Sequence, residues 1–154
     1  MPTDTDIIDV DIIEVLERDH RRISDLAERL DSVTDPEEIR ALYRQIVDGL
    51  LAHEAIEQDV LFPAFREMLA SSGPTPLDER MGEHDELNSL LAEMRDLDAD
   101  GFAFMKRGSA LLLEIERHFE SEEESVFAPM RERLPKETLL ELGRRALAAQ
   151  TSPD

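Results

Sequence analysis

The sequence predicts an all-α protein, an antiparallel up-down-up-down four-helix bundle with a short C-terminal fifth helix. Apolar residues recur at spacings of three and four along nearly the whole chain, and no strand-length run alternates strictly between apolar and polar residues. The breaks between apolar stripes carry proline, glycine and capping residues. Four helices of roughly 20 to 34 residues would each be about 30 to 50 Å long, and short connections make neighbours antiparallel.

The first two helices are predicted from their stripes and from the break between them. The first stripe comprises Ile12, Leu16, Ile23, Ala27 and Leu30. The second helix is predicted from about Pro36 to Leu69, because Thr34-Asp35 offers a capping side chain and Pro36 suits a first helical turn.

The remaining helices follow in the same way. Ser71-Ser72-Gly73-Pro74 ends the second helix, and Thr75-Pro76 opens a third with the stripe Leu77, Met81, Leu87 and Leu91. A break at Asp98 to Gly101 precedes a fourth helix with the stripe Phe104, Leu111, Ile115 and Val126. Pro135 begins the fifth. We therefore predict a single domain over residues 1–154, with the bundle at about 8–134 and the C-terminal helix at about 135–150.

Composition restricts the classes of function. The 17 Lys and Arg residues face 37 Asp and Glu residues, for a net charge of -20, which would repel nucleic acid and anionic membranes. The absence of cysteine excludes disulfides, thiolate metal sites and thiol nucleophiles. The chain shows no basic leader and no run near the roughly 20 apolar residues of a membrane span. We expect a cytoplasmic protein with no nucleic-acid or membrane partner.

The two halves of the chain resemble each other. The segment HEAIEQDVLFP begins at His53, and HFESEEESVFAP begins at His118. Each has Glu four residues after the His, an acid at six and Phe at nine. Upstream, Asp19-His20 matches Glu83-His84 as an acid-His pair. The repeat predicts a helical hairpin duplicated within one domain, and the proline that ends each copy predicts a kink.

The histidines and two of the glutamates lie on the apolar stripes. The four histidines are His20, His53, His84 and His118, and Glu57 and Glu122 follow the second and fourth by one turn. A buried carboxylate costs several kcal/mol unless it is paired or binds a metal. Two His-x-x-x-Glu clamps, each completed by a His from a neighbouring helix, predict a two-ion site. Imidazole and carboxylate donors favour iron over manganese or zinc. The alternative is a metal-free bundle with hydrogen-bonded core histidines.

At these residues the chain resembles the hemerythrin-like family, also called the HHE cation-binding domain, of the bacterial single-domain type. The motifs that carry the resemblance are DHRRI, HEAIEQDVLFP, EHDEL and HFESEEESVFAP, within Asp11 to Leu134. The resemblance implies two iron ions joined by an oxo or hydroxo bridge. It also implies that Glu57 and Glu122 bridge them, with His20 and His53 nearest one iron and His84 and His118 nearest the other.

Two positions depart from the oxygen-carrying members of that family. Those members have a fifth histidine one turn after the third-helix His, where this chain has Asn88. The chain also has Glu54 directly after His53, and the resemblance to some members, including iron-sensing ones, implies an extra metal ligand there. A solvated surface charge is the other interpretation of Glu54, and the sequence leaves both open.

The ligand count indicates the class of chemistry. Four imidazoles, two bridging carboxylates and an oxo bridge leave about two open positions on two octahedral irons, or about one if Glu54 binds. We expect a dry pocket lined by Leu50, Val60, Leu87, Leu91 and Ile115.

Open coordination favours reaction with small oxidants, and the family resemblance implies a catalase- or peroxidase-like diiron oxidoreductase that decomposes hydrogen peroxide, with nitric oxide as a candidate co-substrate. The alternative is an oxygen or iron sensing or storage module that binds O2 at the same site. The sequence does not define the oligomeric state; a monomer is the default expectation.

Overall fold

The computed structural model describes residues 10–69, 77–97, 99 and 101–151, and these form helices and no strand. The fold class predicted from the sequence is confirmed. The elements are α1 (Ile12–Ser32), α2 (Pro36–Ile56), a π-helical turn (Glu57–Leu61), α3 (Phe62–Met68), α4 (Leu77–Arg95), α5 (Phe102–Glu122), a second π-helical turn (Glu123–Phe127), α6 (Ala128–Arg133) and α7 (Lys136–Thr151).

Aspartates cap the first two helices. The Asp11 carboxylate accepts a hydrogen bond from the Glu14 backbone N–H at 2.8 Å, and the Asp35 carboxylate accepts one from the Glu38 N–H at 3.1 Å. Each bond satisfies an N–H that has no partner within the helix. Pro36 occupies the first turn of α2, where the lack of an N–H does no harm.

The structure has a π-helical turn in each half where the sequence predicts a kink. Pro63 and Pro129 each lie two residues beyond the last π-helical residue. Because a proline nitrogen has no hydrogen, the carbonyl four residues earlier, inside the π turn, loses its usual donor. The wider turn absorbs this change while the backbone stays helical, so α2 continues into α3 and α5 into α6. The first π turn begins at Glu57, and the second begins directly after Glu122. These two glutamates occupy matching places in the internal repeat.

Two apolar cores lie on either side of a polar layer. α1 packs against α2, α5 and α7, and α4 packs against α5. The largest fully buried side chains of the first core are Ile12, Ile13, Leu16, Leu61, Phe62, Phe65 and Phe127. Those of the second core are Ile23, Leu42, Ile46 and Leu50. The polar layer between the two cores contains the four histidines.

The helix α4, which corresponds to the third helix of the sequence prediction, departs from its predicted stripe at one residue. Met81 is 37% exposed, and its sulfur accepts a hydrogen bond from the Arg66 guanidinium at 3.6 Å. It therefore lies at the rim of the bundle, because α4 buries a narrow face, while Leu87 and Leu91 are buried as predicted. The predicted break at residues 71–74, the Thr75-Pro76 start and the Leu77 side chain lie outside the described residues.

α7 packs against α1 at a point of close approach. A Cβ on Gly143 would lie 2.0 Å from the Val10 carbonyl oxygen, so a glycine is required where these segments meet. The helix runs for 16 residues and buries Leu139, Leu142 and Ala146 in the first core. None of the helices in the described ranges combines the length and the apolar character needed to cross a bilayer.

Candidate metal centre

The polar layer is completely enclosed by the bundle. Glu57 and Glu122 have 0% exposure, and the four histidines are exposed by 3% or less. Their side chains come from α1, α2 with its π turn, α4 and α5, so all four main helices contribute. The sequence predicts this inward placement from the helical stripes.

The side chains form two groups that share both glutamates. We define position A as the space between His20, His53, Glu57 and Glu122, and position B as the space between Glu57, His84, His118 and Glu122. In each group, four candidate ligand atoms lie within 4.8 Å of one another. The pairing of the histidines is the one that the family resemblance implies.

Each glutamate reaches both positions, one oxygen toward each. Glu57 Oε2 lies 2.9 Å from Nε2 of His53, and its Oε1 lies 2.9 Å from Nε2 of His84. Glu122 Oε1 lies 3.1 Å from Nε2 of His20, and its Oε2 lies 3.9 Å from Nε2 of His118. A carboxylate placed in this way can bridge two ions.

The donor atoms fit metal ions better than they fit one another. Both oxygens of Glu57, Glu122 Oε2, and Nε2 of His84 and of His118 are buried without a hydrogen-bond partner among the described residues. Several of these atoms lie about as close as hydrogen-bonded atoms, but at angles that make no hydrogen bond. Unpaired buried polar atoms are costly. In each position the candidate ligand atoms instead lie within 4.8 Å of one another, as the ligands of one cation do.

Acidic side chains lie behind three of the four histidines. The Nδ1 contacts are His20 with Glu123 at 2.7 Å, His53 with Asp19 at 3.3 Å and His118 with Glu83 at 2.6 Å. When Nε2 binds a metal, Nδ1 carries the proton, and this N–H donates a hydrogen bond to the carboxylate. This bond fixes the ring orientation and strengthens the imidazole as a ligand.

The acid-His pairs of the sequence act across helices. Asp19 precedes His20 but contacts His53, and Glu83 precedes His84 but contacts His118. Adjacent residues on a helix are about 100° apart, so the acid faces the next helix while its neighbour faces the site. From the sequence, these pairs indicate only a duplication. Their role behind the histidines was missed, although an acidic residue directly before each of two candidate ligands was a signal for it.

Aromatic rings cover the histidines. Phe119 stacks on His20 at a centroid distance of 3.8 Å, and Phe127 lies on the same ring at 5.3 Å. Phe62, the counterpart of Phe127 in the repeat, lies 5.9 Å from His84. These rings keep water away from the ligand atoms.

Glu54 lies outside both groups. It is 5% exposed, its Oε1 accepts a hydrogen bond from the Asn88 amide at 3.2 Å, and its Oε2 is buried with no partner. Burial raises the pKa of its carboxyl, and the nearby His84 opposes that rise. The interpretation of Glu54 as a solvated surface charge is wrong, since the side chain is buried; its role as a metal ligand stays a prediction.

The metal-free site holds its protons unevenly. Although burial favours neutral His53, the carboxylates of Glu57 and Asp19 raise its pKa well above the usual value. Burial lowers the pKa of His118 to about 3. Burial opposes ionisation of Glu57, but His53 holds the pKa of that carboxyl well below its usual value. Without a bound metal, these shifts favour the charged form of His53 and the neutral form of His118.

Metal uptake is expected to release a proton from His53 near neutral pH. Because the pKa of His53 is raised, protons compete with the metal across the neutral range, and the apparent affinity should increase as pH increases from 6 to 8. Calorimetric titration of the metal-free protein in buffers of different ionisation enthalpy measures the released protons. Affinity and heat that do not depend on pH or buffer would contradict this protonation pattern.

Comparison with known proteins agrees with this geometry. Residues 11–130 match the family model described as the hemerythrin HHE cation-binding domain. Two curated relatives are a DNA nickase of Nostoc, 29% identical over 84% of this chain, and an uncharacterized hemerythrin-like protein of Schizosaccharomyces pombe, 21% identical over 85%. This chain spans 36% and 64% of their respective lengths. The crystal structure of an HHE cation-binding domain-containing protein from Mycobacterium kansasii superimposes with a TM-score of 0.75 at 23% identity, covering 90% of this chain and 84% of the other. The buried His and Glu cluster is a metal-binding site in an HHE-type helical bundle.

Proposed function

Since this chain belongs to the hemerythrin HHE cation-binding family, we propose that it holds an oxo- or hydroxo-bridged pair of iron ions and decomposes hydrogen peroxide. Iron is the metal typical of this family, and positions A and B offer the imidazole and carboxylate donors that suit it. Two molecules of peroxide would give two of water and one of O2. When bound, the iron pair would supply the electron transfer for this reaction.

The observation that carries this proposal is the environment of Asn88. The residue lies one turn after His84, where an oxygen carrier has its fifth histidine, and its amide donates to Glu54 instead of facing a metal. The site therefore has four imidazoles, two at each position. Coordination that the protein leaves open is available to a small oxidant.

The protein residues fix the spacing and orientation of the ligands. Glu57 and Glu122 each direct one oxygen to position A and one to position B. Asp19, Glu83 and Glu123 hold the Nδ1 protons of three histidines, so those rings present Nε2 inward. Ligands held in this way need little rearrangement when oxidation state changes.

Apolar side chains restrict what can reach the site. All five residues that the sequence predicts as the pocket lining are buried: Leu50, Val60, Leu87, Leu91 and Ile115. Val60 belongs to the first core and the other four to the second, so the predicted lining comes from the cores on both sides of the polar layer. Molecules as small as peroxide or nitric oxide suit such a lining, and larger substrates do not.

We retain Glu54 as a proposed seventh protein ligand. Its Oε2 is buried and unpartnered, and its charge acts on His84 of position B. The hydrogen bond from Asn88 holds only Oε1. Glu54 can thus bind a cation through Oε2, or accept a proton there from a peroxide that enters.

Oxygen evolution tests the proposal directly. Protein loaded with iron is expected to evolve O2 from added peroxide in a Clark-type electrode, at a rate proportional to its iron content. Protein treated with a chelator is the control for contaminating catalase, and it should be inactive and regain activity on reloading with iron. Removal of nitric oxide in the presence of peroxide, followed with a nitric oxide electrode, tests the candidate co-substrate.

Two results would replace this proposal. Iron-loaded protein that evolves no O2 and leaves nitric oxide unchanged is not an oxidoreductase of this kind. A spectrum that changes reversibly as O2 and argon are exchanged would instead favour the alternative, an O2-binding sensor or storage module.

We do not propose DNA nicking, the activity in the name of the Nostoc relative, for this chain. The match covers 36% of that protein, and a chain with net charge -20 repels the phosphate backbone of DNA. We expect no binding to duplex DNA at physiological salt in a fluorescence anisotropy titration.

A further inference from the structure

The internal repeat relates positions A and B, but the residues behind their histidines differ. The residue five after His118 is Glu123, and the residue five after His53 is Gln58. Both residues lie in the π-helical turns, directly after Glu122 and Glu57 respectively. The repeat therefore has a carboxylate in one half and a neutral amide at the matching place in the other.

This difference affects one histidine in each position. Glu123 Oε2 lies 2.7 Å from Nδ1 of His20, so position A has a carboxylate behind both of its imidazoles. In position B, Glu83 lies behind His118, but Nδ1 of His84 is buried with no hydrogen-bond partner among the described residues. Gln58 is exposed and does not fill that place.

The aromatic rings that cover the histidines also differ, with more cover at position A than at position B. The residue directly after His118 is Phe119, which stacks on His20 with an interplanar angle of 6°. The matching residue after His53 is Glu54, which places no ring on His84. His20 is enclosed by two phenyl rings, whereas within the described part of the chain His84 has one phenyl ring, Phe62, at 5.9 Å.

From these differences we propose that the two positions bind metal unequally, that A fills before B, and that Glu123 and Gln58 set the difference. This inference rests on the proposed two-ion site and deepens it. A carboxylate at Nδ1 strengthens an imidazole ligand, and loss of such a partner typically weakens metal binding about 10- to 100-fold. Position B, with one such partner fewer behind its imidazoles, holds its ion more weakly; the proposed ligation by Glu54 offsets this only in part, because Asn88 holds one of its two oxygens.

A reciprocal pair of substitutions tests this inference. Gln58→Glu supplies the missing carboxylate, and Glu123→Gln removes the one that His20 has. Both are close in size to the native side chain, and neither position is fully buried. Titration of the metal-free protein with Co²⁺, followed by visible absorption and calorimetry, gives two dissociation constants without any measurement of activity.

We expect the native protein to bind two Co²⁺ ions in two steps. Gln58→Glu should tighten the second step by about 10-fold or more and leave the first unchanged. Glu123→Gln should weaken the first step by a similar factor, so that the two steps merge. Gln45→Glu is the matched control, since it adds the same charge on the exposed surface of α2, about 20 Å along the axis from residue 58, and it should change neither step.

The outcomes separate this inference from the proposed function. Binding of fewer than two Co²⁺ ions would overturn both. Binding of two ions with no response to Gln58→Glu, or with the first step tightened instead of the second, would overturn the unequal positions alone. Thermal unfolding of the metal-free variants should match that of the native protein, because these residues act on the metal through the histidines.

Discussion

His53→Ala is expected to remove metal from the site and to destabilise the protein. His53 contacts Glu57 at 2.9 Å, and its charge holds the pKa of that buried carboxyl well below the usual value. Loss of one partner of a buried ion pair typically costs about 3 to 5 kcal/mol. Chemical denaturation with and without a chelator measures both effects, because a bound metal stabilises the folded state.

Leu50→Ala is the matched control for His53→Ala. Leu50 is 1% exposed and lies one turn before His53 on α2, and truncation of a buried leucine costs about 2 to 5 kcal/mol through the cavity that it leaves. Both variants should unfold at lower denaturant concentration. Only Leu50→Ala should still lose stability when a chelator is added. A His53→Ala protein that retains its metal and native stability would support the metal-free bundle.

Asn88→His is expected to lower the rate of peroxide decomposition by about tenfold or more, equivalent to about 1.4 kcal/mol in the barrier. The new imidazole lies one turn after His84, where it can occupy coordination that the native protein leaves open at position B. A filled position favours reversible O2 binding over reaction with peroxide. Oxygen evolution per iron gives the first effect, and spectra recorded while O2 and argon are exchanged give the second.

Asn88→Ala separates this effect from the loss of the bond to Glu54. Both substitutions remove the amide that donates to Glu54 Oε1, but only histidine adds a ligand. Asn88→Ala should therefore keep most of the activity. Equal losses in the two variants would show that the Asn88 hydrogen bond, rather than open coordination, determines the rate.

The helices and the inward direction of the histidines could be predicted from the sequence, because both depend on a 3.6-residue period. His20 and Glu57 lie on stripes that only one helical face can bury, and they are 3% and 0% exposed. A kink at each of the two prolines is predicted from the sequence, and the structure shows a π-helical turn shortly before each of them. The response of a backbone to a proline such as Pro63 depends on the packing around it, which a local pattern does not contain.

The contacts behind the ligands could not be predicted in the same way. The bond of Asp19 to His53 joins residues 34 positions apart on different helices, and it depends on how α1 and α2 are rotated about their axes. Met81 fits the helical period, yet it is exposed because α4 buries too narrow a face to include it. Gln58 and Glu123 became informative only when the structure showed that Glu123 lies behind His20, while Nδ1 of His84 has no hydrogen-bond partner among the described residues.

The iron content of the isolated protein, determined together with its near-ultraviolet and visible spectrum, tests the central claim most directly. Two ions between Glu57, Glu122 and the four histidines predict about two irons per chain and the near-ultraviolet absorption of a bridged ferric pair. The spectrum should disappear on chelation and return on reloading with iron. A protein that contains no iron and takes up none when reloaded under reducing conditions, or that binds only one ion per chain, would contradict the account.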